Sequence, residues 1–178
     1  MTIRAQLTHV GIYVRDLPRM ESFYTGVLGL IVTDKGRSSR GNMELTFLSA
    51  SPTVHHQVVL VSGRPEDVAF TTVNQMSFTV GSLDELREVH HRALELGATN
   101  MRITTHGIAW SIYFADPEGN VVEAYVDTPF HIPQPHGTPF DLAAPDAEIR
   151  AWTEAHCRAD PGFRPHSDWS REQAAKLA

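Results

Sequence analysis

An imidazole at His9, a side-chain amide at Gln75 and a carboxylate at Glu123 are donor types that together suit a divalent metal with open coordination positions. His9 lies in Thr8-His9-Val10-Gly11-Ile12-Tyr13-Val14 and Gln75 in Asn74-Gln75-Met76-Ser77-Phe78-Thr79-Val80, two segments that superpose at an offset of 66 (75 minus 9). Glu123 sits among Val121, Val122 and Ala124, where a carboxylate is costly unless paired or metal-bound. Taken singly, His9 reads equally well as a hydrogen-bonded core histidine, and Glu123 as an edge residue facing water. Their joint placement in a repeat favours the metal.

The repeat dictates the elements that position these residues. In each segment the apolar residues alternate: Val10, Ile12 and Val14 on one face, Met76, Phe78 and Val80 in the second copy. His9 and Gln75 therefore share the opposite face of equivalent strands. Each strand leads into a helix ending at a glycine, Gly29 and Gly97, at an offset of 68 (97 minus 29). In the second helix Leu83, Leu86, Val89, Ala93 and Leu96 form the apolar stripe that covers the sheet. Three strand-like runs follow each helix: Leu30 to Thr33, Met43 to Leu48 and His56 to Val61, then Asn100 to Thr104, Trp110 to Phe114 and Val121 to Val126. Turn signals at Asp34-Lys35-Gly36, Arg40-Gly41-Asn42, Ser51-Pro52 and Asp116-Pro117-Glu118-Gly119 separate them. The expected fold class is α+β, with two βαβββ modules over 5–64 and 72–126 in a domain of residues 1–126.

Residues 127–178 differ. Pro129, Pro133, Pro135, Pro139 and Pro145 predict an extended arm. A helix from Asp146 to Cys157 follows, with Ile149 and Trp152 on one side, and a last helix from Ser167 to Leu177. This proline-rich and helical extension is expected to wrap its own domain or a partner subunit.

Composition narrows the function classes. A net charge of -6 and the lack of any Lys/Arg block argue against a nucleic-acid partner. Cys157 is the only cysteine, so no internal disulfide and no thiolate cluster is expected, and a reducing compartment is the default. Met1 to Leu7 carries no apolar run suited to a signal peptide. The expectation is a soluble cytoplasmic protein with no membrane partner.

The segment from His106 to Glu123 is the strongest local signal. Its Asp116-Pro117-Glu118-Gly119-Asn120 turn reverses the chain between two strands and brings Tyr113 close to Glu123 across the hairpin. Leu7-Thr8-His9-Val10-Gly11, Asp16-Leu17, Phe23-Tyr24 and Leu28-Gly29-Leu30, with that closing turn, resemble the vicinal oxygen chelate superfamily over Leu7 to Val126. His106, five residues, Ile112-Tyr113, two residues, Asp116-Pro117-x-Gly119 and then Glu123 looks like the signature of its type I extradiol ring-cleaving dioxygenases. His55-His56-Gln57-Val58-Val59-Leu60 is similar to the segment that holds their acid–base histidine.

The resemblance implies His9 and Glu123 as metal ligands, with Gln75 at the third ligand position. It implies His56 as the acid–base group, and His106 and Tyr113 as contacts to the oxygens of a catechol-like substrate. Iron(II) is the metal it implies first, with dioxygen as co-substrate and a homodimer as the assembly. Gln75 departs from the pattern, because these dioxygenases carry a second histidine there. Amide oxygen is a harder and weaker ligand than imidazole, which makes zinc, manganese, nickel or magnesium more competitive. Two rivals follow: a glyoxalase-like metal-dependent isomerase or lyase, and a non-enzymatic small-molecule binding protein of the same fold.

Overall fold

A computed structural model of the chain describes residues 3–39, 41–68 and 70–178. The elements run β1 (Val10–Val14), α1 (Leu17–Leu28), β2 (Ile31–Arg37), β3 (Glu44–Ser49), β4 (Val58–Ser62), β5 (Met76–Thr79), α2 (Leu83–Glu95), β6 (Thr99–Thr105), β7 (Ala109–Ala115), β8 (Val121–Asp127), β9 (Phe130–His131), α3 (Asp146–Arg158), β10 (Arg164–Pro165) and α4 (His166–Leu177). The sequence thus folds as α+β, with two four-stranded sheets ordered β1-β4-β3-β2 and β5-β8-β7-β6. In each, the first strand pairs in parallel with the last, and the last two strands pair antiparallel. This is the βαβββ repeat twice over. By contacts the chain divides into two compact units, one of residues 1–74, 92–99 and 116–120, the other of 75–91, 100–115 and 121–178.

In the first unit α1 packs on β3 and β4. Its buried residues Met20, Phe23, Tyr24 and Val27 follow the i, i+3, i+4, i+7 rule of one helical face. Asp16 caps its start, accepting from the Arg19 backbone N–H at 3.0 Å. Gly29 ends it at φ 67, a left-handed turn that glycine adopts without strain. On β1, Ile12 and Val14 are buried while Gly11 and Tyr13 are exposed, the alternation the sequence predicts.

The Asp116 turn also belongs to this unit. Asp116 is buried, and its carboxylate accepts from the Glu118 and Asn120 backbone N–H groups, the Asn120 amide and the Tyr24 hydroxyl, all at 2.8–2.9 Å. Glu118 Oε1 accepts from the Arg15 and Asp16 backbone N–H groups at 2.7 and 2.8 Å. The motif residues Asp16, Tyr24, Asp116 and Glu118 are therefore one hydrogen-bonded scaffold. Burial pushes the Asp116 carboxyl up, against these donors, and burial beside Asp116 pushes the Tyr24 phenol far above its ordinary value.

The second unit holds the other sheet and the extension. Ser82 Oγ accepts from the Glu85 backbone N–H at 3.1 Å at the start of α2, and Glu85 reaches back to the Gly81 N–H at 2.7 Å. The arm is laid along the end of β6: Thr105 and Thr138 exchange two backbone hydrogen bonds at 2.8 and 2.9 Å. Trp110 donates to Thr153 Oγ1 at 2.8 Å, which fixes α3 to β7. Gly107, at φ +76, lies so close to Ile132 and Cys157 that a Cβ there would strike both.

Three expectations need correction. Asp34-Lys35-Gly36 is not a turn: β2 continues through it past a bulge, pairing as far as Arg37 with Glu44. Of the Arg40-Gly41-Asn42 turn, Arg40 lies outside the described residues, as do Met1 and Thr2 of the amino-terminal segment. The strand predicted from His56 begins at Val58, because Gln57 spends its side chain on the Ala50 N–H at 2.8 Å and the chain ahead of Val58 stays bent. Leu96 is 43% exposed, lying past the end of α2 with its tip against Gly26. On α3, Ile149 and Trp152 share one side as expected, lining one cavity with Phe140; Ile149 is buried and Trp152 half-exposed, stacked on His156. Among the described residues no helix is long and apolar enough to cross a membrane.

Candidate functional site

The predicted site residues fall into two groups. His9 and His56 lie in the first unit; Gln75, His106, Tyr113 and Glu123 lie in the second.

In the first unit, His9 precedes β1 and His56 precedes β4, and the parallel pairing of those strands sets their rings 4.4 Å apart, centre to centre. His55 joins them, its Nδ1 2.9 Å from Nδ1 of His56, and Phe47 of β3 backs both imidazoles. Thr8 Oγ1 is 3.0 Å from His9 Nδ1. Partial burial and the neighbouring His9 and His55 lower the pKa of His56 from the ordinary histidine value. At neutral pH His56 is therefore an uncharged imidazole able to accept a proton.

In the second unit the register does the assembling. Ser77 of β5 and Tyr113 of β7 both pair with Glu123 of β8, so three polar side chains share one row across three strands. Glu123 is only 7% exposed. Its Oε2 accepts from the Gln75 amide at 2.7 Å and the Ser77 hydroxyl at 2.6 Å, and its Oε1 lies 3.9 Å from His106 Nε2. Tyr113 Oη is 2.8 Å from that same Nε2. The other ring nitrogen, Nδ1, is 2.5 Å from the His136 carbonyl oxygen. A carbonyl only accepts, so in the neutral ring Nδ1 carries the proton and Nε2 accepts from the Tyr113 hydroxyl. Burial and the adjacent Glu123 carboxylate push Tyr113 up to about 12, while Arg102, 4.1 Å over its ring, pulls the other way. The phenol is a neutral donor across the physiological range.

Beside this row lies a cavity of about 390 Å³, lined by Ser77, His106, Ile108, Tyr113, Glu123 and Tyr125 among others. That volume suits a small single-ring compound, with polar groups along one wall. Among the described residues no three His, Cys, Asp or Glu side chains converge on one point. Ser77, Arg102 and the His136 carbonyl join the site without appearing among the residues that the sequence singles out. Ser77 had a signal, being two residues beyond Gln75 on the same strand face. Arg102 and His136 had none, since one acts from a neighbouring strand and the other through its backbone.

A βαβββ unit repeated twice, with a buried carboxylate on the last strand of the second copy, defines the class of α+β scaffold. The chain belongs to the Glyoxalase/Bleomycin resistance protein/Dioxygenase superfamily, which residues 6–124 match. It is 30% identical over 132 residues to biphenyl-2,3-diol 1,2-dioxygenase 3 of Rhodococcus globerulus, covering 71% of this chain and 66% of that protein. To biphenyl-2,3-diol 1,2-dioxygenase 2 of the same organism it is 24% identical, covering 71% and 65%. The chain thus spans slightly under two thirds of the length of these relatives. Among solved structures it shares its fold with a glyoxylase/bleomycin resistance protein/dioxygenase domain from Frankia sp. EAN1pec, at a TM-score of 0.58 and 23% identity over 71% of this chain and 94% of that one. It also shares it with a glutamate-to-glutamine mutant of the fosfomycin resistance protein FosX of Listeria monocytogenes complexed with Mn(II) and 1S,2S-dihydroxypropylphosphonic acid, at a TM-score of 0.56 and 20% identity over 71% and 95%.

Proposed function

We propose that this protein is a metal-dependent extradiol-type dioxygenase that cleaves a catechol-like aromatic ring. The observation that carries the reading is the His106–Tyr113 hydrogen bond set beside the buried Glu123 on the wall of the cavity. Its likeness to two biphenyl-2,3-diol dioxygenases supports the same chemistry.

Glu123 tests whether the residues fit a metal. A carboxylate this buried needs donors or a cation; its Gln75 and Ser77 donors share one oxygen, Tyr113 also hydrogen-bonds the carboxylate, and a cation would join or replace these neutral donors. In this reading residues 1–126 form the metal-binding domain, modules 5–64 and 72–126, with 127–178 as its extension. His9, Gln75 and Glu123 would hold the ion. When bound, iron(II) would supply the chemistry that lets a catecholate react with dioxygen. The protein's own part is proton handling and placement. Neutral His56 takes a proton from the substrate hydroxyl and returns it later. Tyr113 and His106 hold the substrate oxygens, with His106 oriented by the His136 carbonyl. Both dioxygen atoms enter the product, so no external reductant is required. The reading includes a homodimer in the cytoplasm.

Gln75 favours a second reading, a glyoxalase-like isomerase or lyase on zinc, manganese, nickel or magnesium, because an amide ligand suits iron(II) less well. A non-enzymatic binding protein of the same fold is the third. The deciding experiment is anaerobic loading with iron(II), then a catechol panel in air. A yellow product with matching oxygen uptake supports ring cleavage; a colourless, oxygen-independent turnover sinks it in favour of the second reading. Tight aromatic binding with no turnover and no metal in the purified protein supports the third. Sedimentation that finds only monomer removes the dimer.

A further inference from the structure

Outside that row, the second unit holds another convergence of donor atoms. His136 and Thr138 of the arm meet His156 of α3. The two imidazoles face each other through Nε2 at 3.2 Å, and Thr138 Oγ1 lies 3.3 Å from one Nε2 and 3.5 Å from the other.

As hydrogen bonds these contacts are poor. All three lie at the long end of the useful range, and a hydroxyl that bonds well to nitrogen sits closer. As ligand spacings they are good. A zinc-class ion about 2.0–2.1 Å from its ligands in tetrahedral geometry holds them about 3.3 Å apart. The three edges form a nearly regular triangle of that size. We infer that His136, His156 and Thr138 form a second metal site, selective for a borderline transition ion such as zinc or copper, with one position open to water.

The surroundings fit the role. Trp152 stacks on the His156 ring, 5.3 Å between centres and 10° from parallel, which fixes the ring plane. Burial and the facing His156 lower the His136 pKa, while Asp160 opposes this. Imidazole nitrogens select against magnesium and calcium. The site has a consequence for the row described above, and this part rests on the proposed role of His106. The same His136 that ligates the ion through its side chain holds His106 Nδ1 through its backbone carbonyl. An ion that pins His136 to α3 therefore pins the group that orients His106.

The test uses the full chain and its tryptophan fluorescence, which copper(II) bound at His156 quenches first through the stacked Trp152. Titration of copper(II) into the wild type and into Glu123→Ala should give a saturable quench in both, since the second site does not use Glu123. His136→Gln and His156→Gln should each weaken it by at least about tenfold, with unchanged circular dichroism. Trp152→Phe should reduce its amplitude, leaving the quench of Trp110, which is bonded to Thr153 on the same helix. Zinc calorimetry on Glu123→Ala should find a binding event that disappears with His136→Gln. A quench that keeps its wild-type affinity in both histidine substitutions puts the ion elsewhere and overturns the site; so does no quench at all. If His156→Gln fails to fold, His136→Gln decides alone. None of these readouts needs ring cleavage, so failure of the dioxygenase reading leaves them intact.

Discussion

The two sheets share one strand order and differ along one row. Register places Gly11, Val59 and Phe47 in the first sheet where the second has Ser77, Glu123 and Tyr113. A hydroxyl, a carboxylate and a phenol replace a glycine and two hydrocarbons on the same backbone. The turns before the last strands differ as well. Between Ser49 and Val58 the first module has eight residues (58 minus 49 minus 1), and between Ala115 and Val121 the second has five. The short turn is locked by the buried Asp116. The long one is held by neutral groups, with Ser49 Oγ donating to the Val54 carbonyl at 2.7 Å, and its added length carries His55 and His56. One module has thus put its polarity into the sheet, and the other has put it into a turn and kept an apolar row.

The comparison is broken most directly at Glu123. Glu123→Ala should weaken metal binding by at least about 100-fold and abolish activity, as read by metal content after dialysis and by turnover. Val59→Ala, at the matching position, should leave metal content alone and cost only packing, about 1–3 kcal/mol in a denaturant melt. Equal effects of the two substitutions on metal content would show that the polar row is not where the ion is held.

Tyr113→Phe comes next, removing the donor to His106 without changing shape. It should lower kcat by about 10²-fold with a smaller change in metal affinity. A change confined to metal loading would reassign Tyr113 to structure. Gln75→His sharpens the same point, with an expected rise in iron(II) affinity of about tenfold. No change would take Gln75 out of the ligand set and leave it as the donor to Glu123 that the hydrogen bond already makes it.

The turns are compared through Tyr24. Tyr24→Phe deprives the buried Asp116 of a donor and should cost about 1–3 kcal/mol. The phenol's folded pKa lies well above its unfolded value near 10. As pH rises past 10, the unfolded chain loses a proton that the folded chain keeps, so the wild type loses stability with rising pH there. Tyr24→Phe should flatten that alkaline slope in chemical melts between pH 9 and 11. A slope identical in both proteins would mean that another group sets it.

These contrasts mark how far the sequence could be read. Alternation at Val10, Ile12 and Val14 and at Met76, Phe78 and Val80 makes the repeat legible, and with it the equivalence of His9 and Gln75. Glu123 stands out because it interrupts an apolar run. Alternation puts Ser77 on the face of Gln75, but its bond to Glu123 depends on parallel pairing between strands 46 residues apart in sequence, which no local pattern encodes. The union of Tyr24 with Asp116 is hidden for the same reason, and the motif residues look like chemistry when they are scaffold. His136 is further still from view, since any residue in the arm supplies a carbonyl.

The smallest effect expected belongs to Gly11, and it asks why the first row is apolar. If packing forbids a polar side chain there, the asymmetry is structural; if space is available, the asymmetry is one of chemistry alone. A Cβ added at Gly11 would meet Val59 only at 3.9 Å, ordinary van der Waals contact, and the residue is exposed with no left-handed backbone to strain. Gly11→Ser, which copies Ser77, should therefore shift stability by no more than about 0.5 kcal/mol and leave metal content unchanged. A strand position even favours the loss of glycine, through the lower entropy of the unfolded chain. A loss of several kcal/mol in thermal melts would mean that Gly11 is covered by a neighbour in solution, and a subunit interface over β1 would then become the reason for the apolar row. A neutral result leaves Val59 and Phe47 as the residues that keep the first sheet free of polar chemistry.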